Sequence, residues 1–358
     1  RHPPQPRSHR PRHSRSQGPR RSASRIRSPP HPRQQTPTPH RLPLQRHPPS
    51  VRASHSLELQ DWIDRAVGSG QFDVVTCEHS VNEVYIRPEY RTLVRTVVDI
   101  HSSIYATFLQ QLETGTAEKP TRDRINLPLL KRYERRYCQK FTDLVVTTTD
   151  DQRQIQSFAP AANIEVIPNG VDFTAFPMRD QDPSNHHIMF FGAMDYIANV
   201  DAAKYLCSEI FPALQKRYPD ATLSIVGGKP TPEIQAFAKN PAIKVTGKVS
   251  SMAEYLHQAT VCVIPMRIGF GIKNKTLEAM AAGTPVVGSD RGLEGLEIEG
   301  FDRALRANTV PEYVEAIGRL FDQADLRQGM SQKARAYVTQ AFTWESAGAR
   351  YEAVVAGS

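Results

Sequence analysis

No stretch of this chain approaches the ~20 consecutive apolar residues of a membrane-spanning helix. It also has few cysteines: Cys77, Cys138, Cys207 and Cys262 stand far apart, with no C-x-x-C pair. Neither structural zinc nor a disulfide framework is expected from that spacing. Cys77 and Cys262, in or beside apolar strand-like runs, read as buried thiols. From Arg1 to Ser56 there is no lysine and no acidic residue; the segment holds thirteen arginines among proline, histidine and serine. Such a composition has little to place in a core and is expected to be disordered. The formal net charge of +8 arises in this arm, because the remainder carries 32 basic against 37 acidic side chains. The arm reads either as a contact for nucleic acid or anionic membrane, since arginine clusters bind phosphate, or as an extension without a selected role. Translation from a wrong start or frame is one origin of the second kind, and the abrupt change of composition at Leu57 favours it. Without a secretory leader, the expectation is a soluble, cytoplasmic chain.

From Leu57 onward the chain alternates helix and strand. Helical periodicity covers Leu57 to Val67, Val81 to Tyr90, Ile104 to Leu112, Leu129 to Phe141 and Asp150 to Phe158. Between them, short β-branched runs at Phe72 to Cys77, Thr96 to Ile100, Leu144 to Thr148 and Ile164 to Ile167 read as strands. A polar, proline-bearing stretch inside Asn169 to His187 marks a boundary. The alternation then starts afresh, with strands at 188–191, 222–226, 243–246, 259–265 and 285–289. Helices are expected at 200–214, 232–239, 252–258, 276–282, 310–323, 326–341 and 344–356. This predicts an α/β protein built on parallel sheets covered by helices. The expected domains are a disordered segment 1–56, a first domain 57–172, a linker 173–187 and a second domain 188–341. A closing helix, 342–358, is expected to pack back on the first domain. The first domain is expected to be incomplete, lacking its opening strands.

The densest signal is the run CVIPMRIGFGIKNKTLEAMAAGTPVVGSDRGLEGL, Cys262 to Leu296. It reads as strand, glycine loop, lysines, helix, strand and second glycine loop, which is half of a nucleotide-binding α/β unit. Gly269 and Gly271 let backbone approach a ligand, and the helix start offers unpaired N–H groups to phosphate. Lys273 and Lys275 add positive charge there, and Glu278 follows one turn into the helix. Many α/β proteins use such a turn for geometry alone.

Other motifs succeed one another at matching spacing: IPNGVD at Ile167 to Asp172, FFGAMDYIANVDAAKYL at Phe190 to Leu206, IFPAL at Ile210 to Leu214 and SIVGGKP at Ser224 to Pro230. VTGKV at Val245 to Val249, IGFGIKNKTLEAMAAGTPVV at Ile268 to Val287 and FTWE at Phe342 to Glu345 complete the set. On these residues the chain from about Phe72 to Val355 resembles a GT-B glycosyltransferase of retaining family 4, group 1. The likeness is closest to sugar transferases associated with bacterial exopolysaccharide and exosortase (PEP-CTERM) gene clusters. The resemblance implies two Rossmann-like parallel-sheet domains facing a cleft, with a nucleoside-diphosphate sugar against the second. A polysaccharide or lipid-linked acceptor would be held by the first. It implies transfer with retention at the anomeric carbon, in exopolysaccharide or cell-envelope glycan synthesis, with no cofactor beyond the donor.

Carried over by position, Glu278 resembles the family's glutamate that hydrogen-bonds the ribose hydroxyls, since a carboxylate accepts from two vicinal hydroxyls at once. Gly269, Phe270, Gly271, Ile272, Lys273, Asn274, Lys275 and Thr276 would lie along the diphosphate and sugar. Their N–H groups and a lysine would oppose the charge that grows on the leaving phosphate. Gly192, Gly227 and Gly228 would give close backbone approach, with Asn199, Lys229 and Lys248 facing the nucleotide. Two departures from the family stand out. A second glutamate, eight positions before the first, is replaced by Phe270, and the arginine and lysine after the first glycine are absent, Gly192 being followed by Ala193 and Met194. Lys273, Asn274 and Lys275 are read as a substitute phosphate grip; for Lys273 the plainer alternative is a solvated loop lysine. VVDIHSS puts Asp99 and His101 at a strand end, where the family often has a histidine facing the donor sugar. His101 joins Lys275 and Glu278 as a catalytic candidate on that ground, a structural histidine being the alternative.

LPLLKRYERRYCQKF, Leu127 to Phe141, is basic with interleaved aromatics, the pattern of a peripheral contact with the inner face of an anionic membrane or of a solvated helix face. Asp180 and Asp182 form a D-x-D, but in the expected linker rather than at a strand end, so no metal is expected. Competing readings are a catalytically incomplete fragment that binds nucleotide sugar only, a nucleotide-sugar epimerase of the same fold, and nucleic-acid binding through the arm. No specific nucleic-acid partner is expected.

Overall fold

The computed structural model describes residues 55–101, 103–298 and 302–357, all within one compact unit, Leu44–Ser358. The arginine-rich arm, except its last two residues, lies outside the described residues. Two parallel sheets form the frame. The first runs β1 (Val74–Glu78), β2 (Arg95–Asp99), β3 (Asp143–Val146), β4 (Ile164–Val166) in that spatial order. The second contains β5 (His187–Phe191), β6 (Thr222–Val226), β7 (Ile243–Val245), β8 (Val261–Ile264), β9 (Val286–Gly288) and β10 (Leu305–Arg306), ordered β10-β9-β8-β5-β6-β7. Strand order reverses at β5 and β8, and in an open parallel sheet the crevice at such a switch point is where ligands sit. The carboxyl ends of those two strands carry Gly192 and the 265–273 loop.

The strands are apolar because helices cover the sheets. In β8 all four residues are buried, and in β5 Ile188, Met189 and Phe190 are fully enclosed; a doubly covered strand needs an unbroken apolar run. The first sheet has a smaller core of its own, built on Val98, Ile100, Tyr137, Phe141, Leu144 and Val146. Helix starts are set locally: the side chains of Ser56, Ser103, Thr148, Thr231, Ser251, Thr309 and Thr343 each accept from a first-turn amide. Each cap of this kind stabilises by about 1 kcal/mol. Helix Trp344–Ala356 lays Ala347 and Val354 on Val97, Val145 and Ile167 of the first sheet.

Among the expected elements three differ most, and one strand is added. The stretch Val81 to Tyr90 forms two 3₁₀ turns, Ser80–Tyr85 and Pro88–Thr92, instead of one helix. Pro88 has no N–H to continue the first turn. The helix expected from Leu129 begins at Pro120 and runs to Cys138 with Pro128 inside it. The helix expected at 200–214 starts at Ile197 and passes through a π turn, Leu206–Ile210. Pro212 removes one helical donor there, which loosens the ladder. The strand β10 was not expected, because two residues carry no readable period.

Candidate functional site

Two neighbouring walls are built from the carboxyl ends of the second sheet. The first wall begins with Gly192 and Gly227, which end the paired strands β5 and β6. Both have left-handed-side backbone, φ 152° and 147°. A Cβ on Gly227 would stand 1.8 Å from the Gly192 carbonyl oxygen, and one on Gly192 would stand 2.6 Å from Asn199 Nδ2. Only glycine fits either place. Asn199 is held by its own Nδ2, which donates to the Ala193 carbonyl at 3.0 Å. Its Oδ1 accepts from Lys275 Nζ. That ammonium also lies 4.8 Å over the Phe190 ring and 3.8 Å from Met266 Sδ. Burial, reinforced by the charge of Lys273, pushes the Lys275 amine down to about 7.

Glu278 stands one turn further along the helix Asn274–Ala281, on the same face as Lys275. Its carboxylate is half-buried and makes no hydrogen bond among the described residues, and burial raises its pKa against the opposing pull of Lys275. A cation with one amide partner and a carboxylate with none, beside a glycine floor, is an arrangement that can receive a phosphate and a diol. Gly228 and Lys248 adjoin this wall, 3.8 Å apart at the glycine's Cβ position. Lys229, with φ 55°, is exposed and pairs with Asp195 at 3.2 Å.

The second wall is the glycine loop after β8, and it differs from expectation. Gly269 donates its amide to Gln110 Oε1 at 2.9 Å, Ile272 to Thr147 Oγ1 at 2.9 Å, and Gly271 to Asp151 Oδ1 at 3.4 Å. Phe270 packs against the core of the first sheet. These amides, expected to meet a diphosphate, are taken by side chains of helix Ile104–Glu113, of the residue after β3 and of helix Thr149–Gln156. Lys273 is neither a solvated loop lysine nor an open phosphate grip. It is buried, donates to the Gly271 carbonyl and pairs with Glu294 at 3.0 Å, and burial lowers its pKa. Thr276 is fully buried, its hydroxyl donating to the Gly292 carbonyl at 2.7 Å. Asn274 is exposed and accepts from Asn169 Nδ2 at 2.8 Å.

His101 is not among this group; it meets Glu78 and Asp99 at the ends of β1 and β2. Asp182 of the D-x-D pairs with Arg179 and Arg327, which accounts for it as a structural ion pair. Sequence reasoning missed Gln110, Thr147, Asp151 and Glu294. The only signal was position, Thr147 and Asp151 coming after a strand in the run VTTTDD. A cleft of about 640 Å³ opens beside the second wall between Gln110, Asp150, Arg267, Asp290 and Tyr313. A larger groove, about 1050 Å³, lies at the amino ends of β5, β6 and β7 around His187, Thr222 and Lys244, the end away from these walls.

Known proteins share this frame. Residues 185–323 match the family model "Glycosyl transferases group 1", and residues 20–175 match "Glycosyltransferase Family 4". A phosphatidyl-myo-inositol mannosyltransferase of Mycolicibacterium smegmatis is 30% identical over 210 residues, which are 54% of this chain and 53% of that protein. The chain thus spans about half the length of that curated relative. Among solved structures, a sucrose-phosphate synthase from Thermosynechococcus elongatus superposes with a TM-score of 0.66 at 17% identity, covering 84% of this chain and 78% of its own. HepE of Anabaena, solved with UDP, gives 0.62 at 13% identity, covering 84% and 83%. At such identities these two speak for the fold alone. Two family models, one for each sheet, and the shared two-sheet frame lead to one conclusion: this chain belongs to the GT-B glycosyltransferases of family 4.

Proposed function

We propose that the protein transfers a sugar from a nucleoside-diphosphate donor to a glycan or lipid-linked acceptor. The observation that carries this is the first wall, where Lys275 and Glu278 share a helix face beside the Gly192 and Gly227 floor. In this reading Lys275 contacts the diphosphate, and Glu278 accepts from the ribose hydroxyls. As the bond between the anomeric carbon and phosphate oxygen breaks, its electron pair passes to the phosphate, and the half-buried ammonium stabilises the growing charge. The acceptor oxygen forms the new bond and its proton leaves with the phosphate, which fits attack from the leaving-group side and retention. Support comes from the mannosyltransferase relative and from HepE, whose structures include complexes with UDP and with UDP-glucose.

A membrane-borne acceptor, as in exopolysaccharide or cell-envelope glycan assembly, is supported by helix Pro120–Cys138. Ile125 and Leu129, one turn apart, are 68% and 64% exposed beside the exposed Arg122, Lys131 and Arg132. Apolar side chains among cations suit an anionic bilayer surface. No helix among the described residues is long and apolar enough to cross a membrane.

The test is a binding and transfer panel of UDP, GDP, ADP and their sugars on the protein and on Lys275→Ala and Glu278→Ala. One base should raise thermal stability, by ~2.7 kcal/mol at 100 times its dissociation constant, and both variants should lose the effect. A shift without sugar transfer to any acceptor would leave a nucleotide-sugar binder, and no shift in a protein that melts cooperatively would withdraw the proposal.

A further inference from the structure

Apart from both walls, three ligand-type side chains converge at the carboxyl ends of the first two strands. β1 and β2 pair with Glu78 opposite Asp99, and His101 comes two residues later. His101 Nε2 lies 3.4 Å from Glu78 Oε1 and 3.5 Å from Asp99 Oδ2. One donor atom from each residue falls within 4.8 Å of the others. Both imidazole separations exceed the ~2.7–3.2 Å of an N–H···O hydrogen bond. Two ligands held ~2.1 Å from one ion stand ~3.0 Å apart at an octahedral right angle and ~3.4 Å apart at a tetrahedral angle. The spacing is that of a coordination edge.

A second, independent feature points the same way. Asp99 Oδ1 is buried without a hydrogen-bond partner. No lysine or arginine among the described residues pairs with Glu78 or Asp99, so two adjacent carboxylates face each other with only an imidazole between them. Like charges this close are relieved either by a proton on one carboxyl or by a bound cation.

We propose that Glu78, Asp99 and His101 bind a divalent first-row cation such as Mn²⁺ or Zn²⁺. Two carboxylates and one imidazole are a donor set for that class of ion. Glu78 is 86% exposed at its side chain, so the remaining coordination positions open toward solvent, where a phosphate or hydroxyl ligand can complete the sphere. The site uses neither Lys275 nor Glu278, which belong to the second sheet's half, but His101 is the histidine that the resemblance turned toward the donor sugar. The sequence reading contained Asp99 and His101 but not Glu78, which only strand pairing brings to them.

The test uses the full chain, stripped with EDTA and titrated with MnCl₂, free Mn²⁺ being read by electron paramagnetic resonance and Zn²⁺ added as competitor. One Mn²⁺ per chain is expected, displaced by Zn²⁺, with affinity falling about tenfold or more in Glu78→Gln, Asp99→Asn and His101→Gln. Asp182→Asn, in the D-x-D, should leave it unchanged. Melting curves establish which variants remain folded; should Asp99→Asn not fold, the exposed Glu78 and half-exposed His101 decide. Absence of stoichiometric binding below about 1 mM, or binding that Glu78→Gln and His101→Gln leave intact, overturns the proposal.

Discussion

The glycines at the ends of β5 and β6 and those in the loop after β8 belong to the same sheet and the same end of it, yet they serve different neighbours. Gly192 and Gly227 press on each other and on Asn199, leaving a floor below Lys275. Gly269 and Gly271 instead have their amides engaged by Gln110 and Asp151 of the other half. Glycine at a strand end therefore announces a close approach without naming what approaches. The lysines repeat the lesson two residues apart: Lys275 has one amide oxygen and a ring for company, while Lys273 is locked between a carbonyl and Glu294.

The strongest way to break this comparison is at Gly227. Gly227→Ala would force a Cβ to 1.8 Å from the Gly192 carbonyl in a backbone with φ 147°. A loss of ~3 kcal/mol or more is expected in urea melts. Gly228→Ala, with its nearest neighbour 3.8 Å away, should stay within ~0.5 kcal/mol; equal effects would show that the floor is not packed as described.

Next in size are the two lysines. Lys273→Met strands Glu294 with Arg291 as its remaining partner and is expected to destabilise by ~2–3 kcal/mol while donor affinity holds. Lys275→Met should do the reverse, lowering donor affinity ~10- to 100-fold at little change in melting. Calorimetry with the preferred nucleotide and parallel melts would read both, and exchanged outcomes would reverse the assignment.

The Lys275 amine makes a pH prediction. Folding lowers its pKa to about 7, so above pH 7 the unfolded chain binds the extra proton and this lysine's contribution to stability rises with pH toward its ordinary range near ~10.4. Donor binding runs the other way, because a diphosphate favours the charged amine. Affinity should fall by up to ~tenfold per unit as pH rises above 7, with proton uptake on binding, measurable in buffers of different ionisation heat. Lys275→Arg should flatten that profile.

The smallest effect concerns the docked loop. Gln110→Ala and Thr147→Val each remove one acceptor from a loop amide, for ~1 kcal/mol apiece. Faster hydrogen exchange at Gly269 and Ile272 would mark the loosened loop, and unchanged exchange would mean that Phe270 alone holds it.

Much of the frame was readable before the structure, since the periods of Thr222–Val226 and Met252–Gln258 are local signals. The pairing of Lys275 with Glu278 was readable too, because three residues on a helix return to one face. Phe270, Lys273 and Thr276 were misread for the opposite reason: their partners, the first sheet's core, Glu294 and Gly292, lie far off or beyond a turn.

By itself, then, the sequence determined the alternation of strand and helix, the glycine positions and the helix face that carries Lys275 and Glu278, because each depends on spacing within a few residues. Only the tertiary structure decided which lysine is open, which amides are engaged and which carboxylate joins His101. Those outcomes depend on strand order and on the docking of one half against the other, and no local period encodes them.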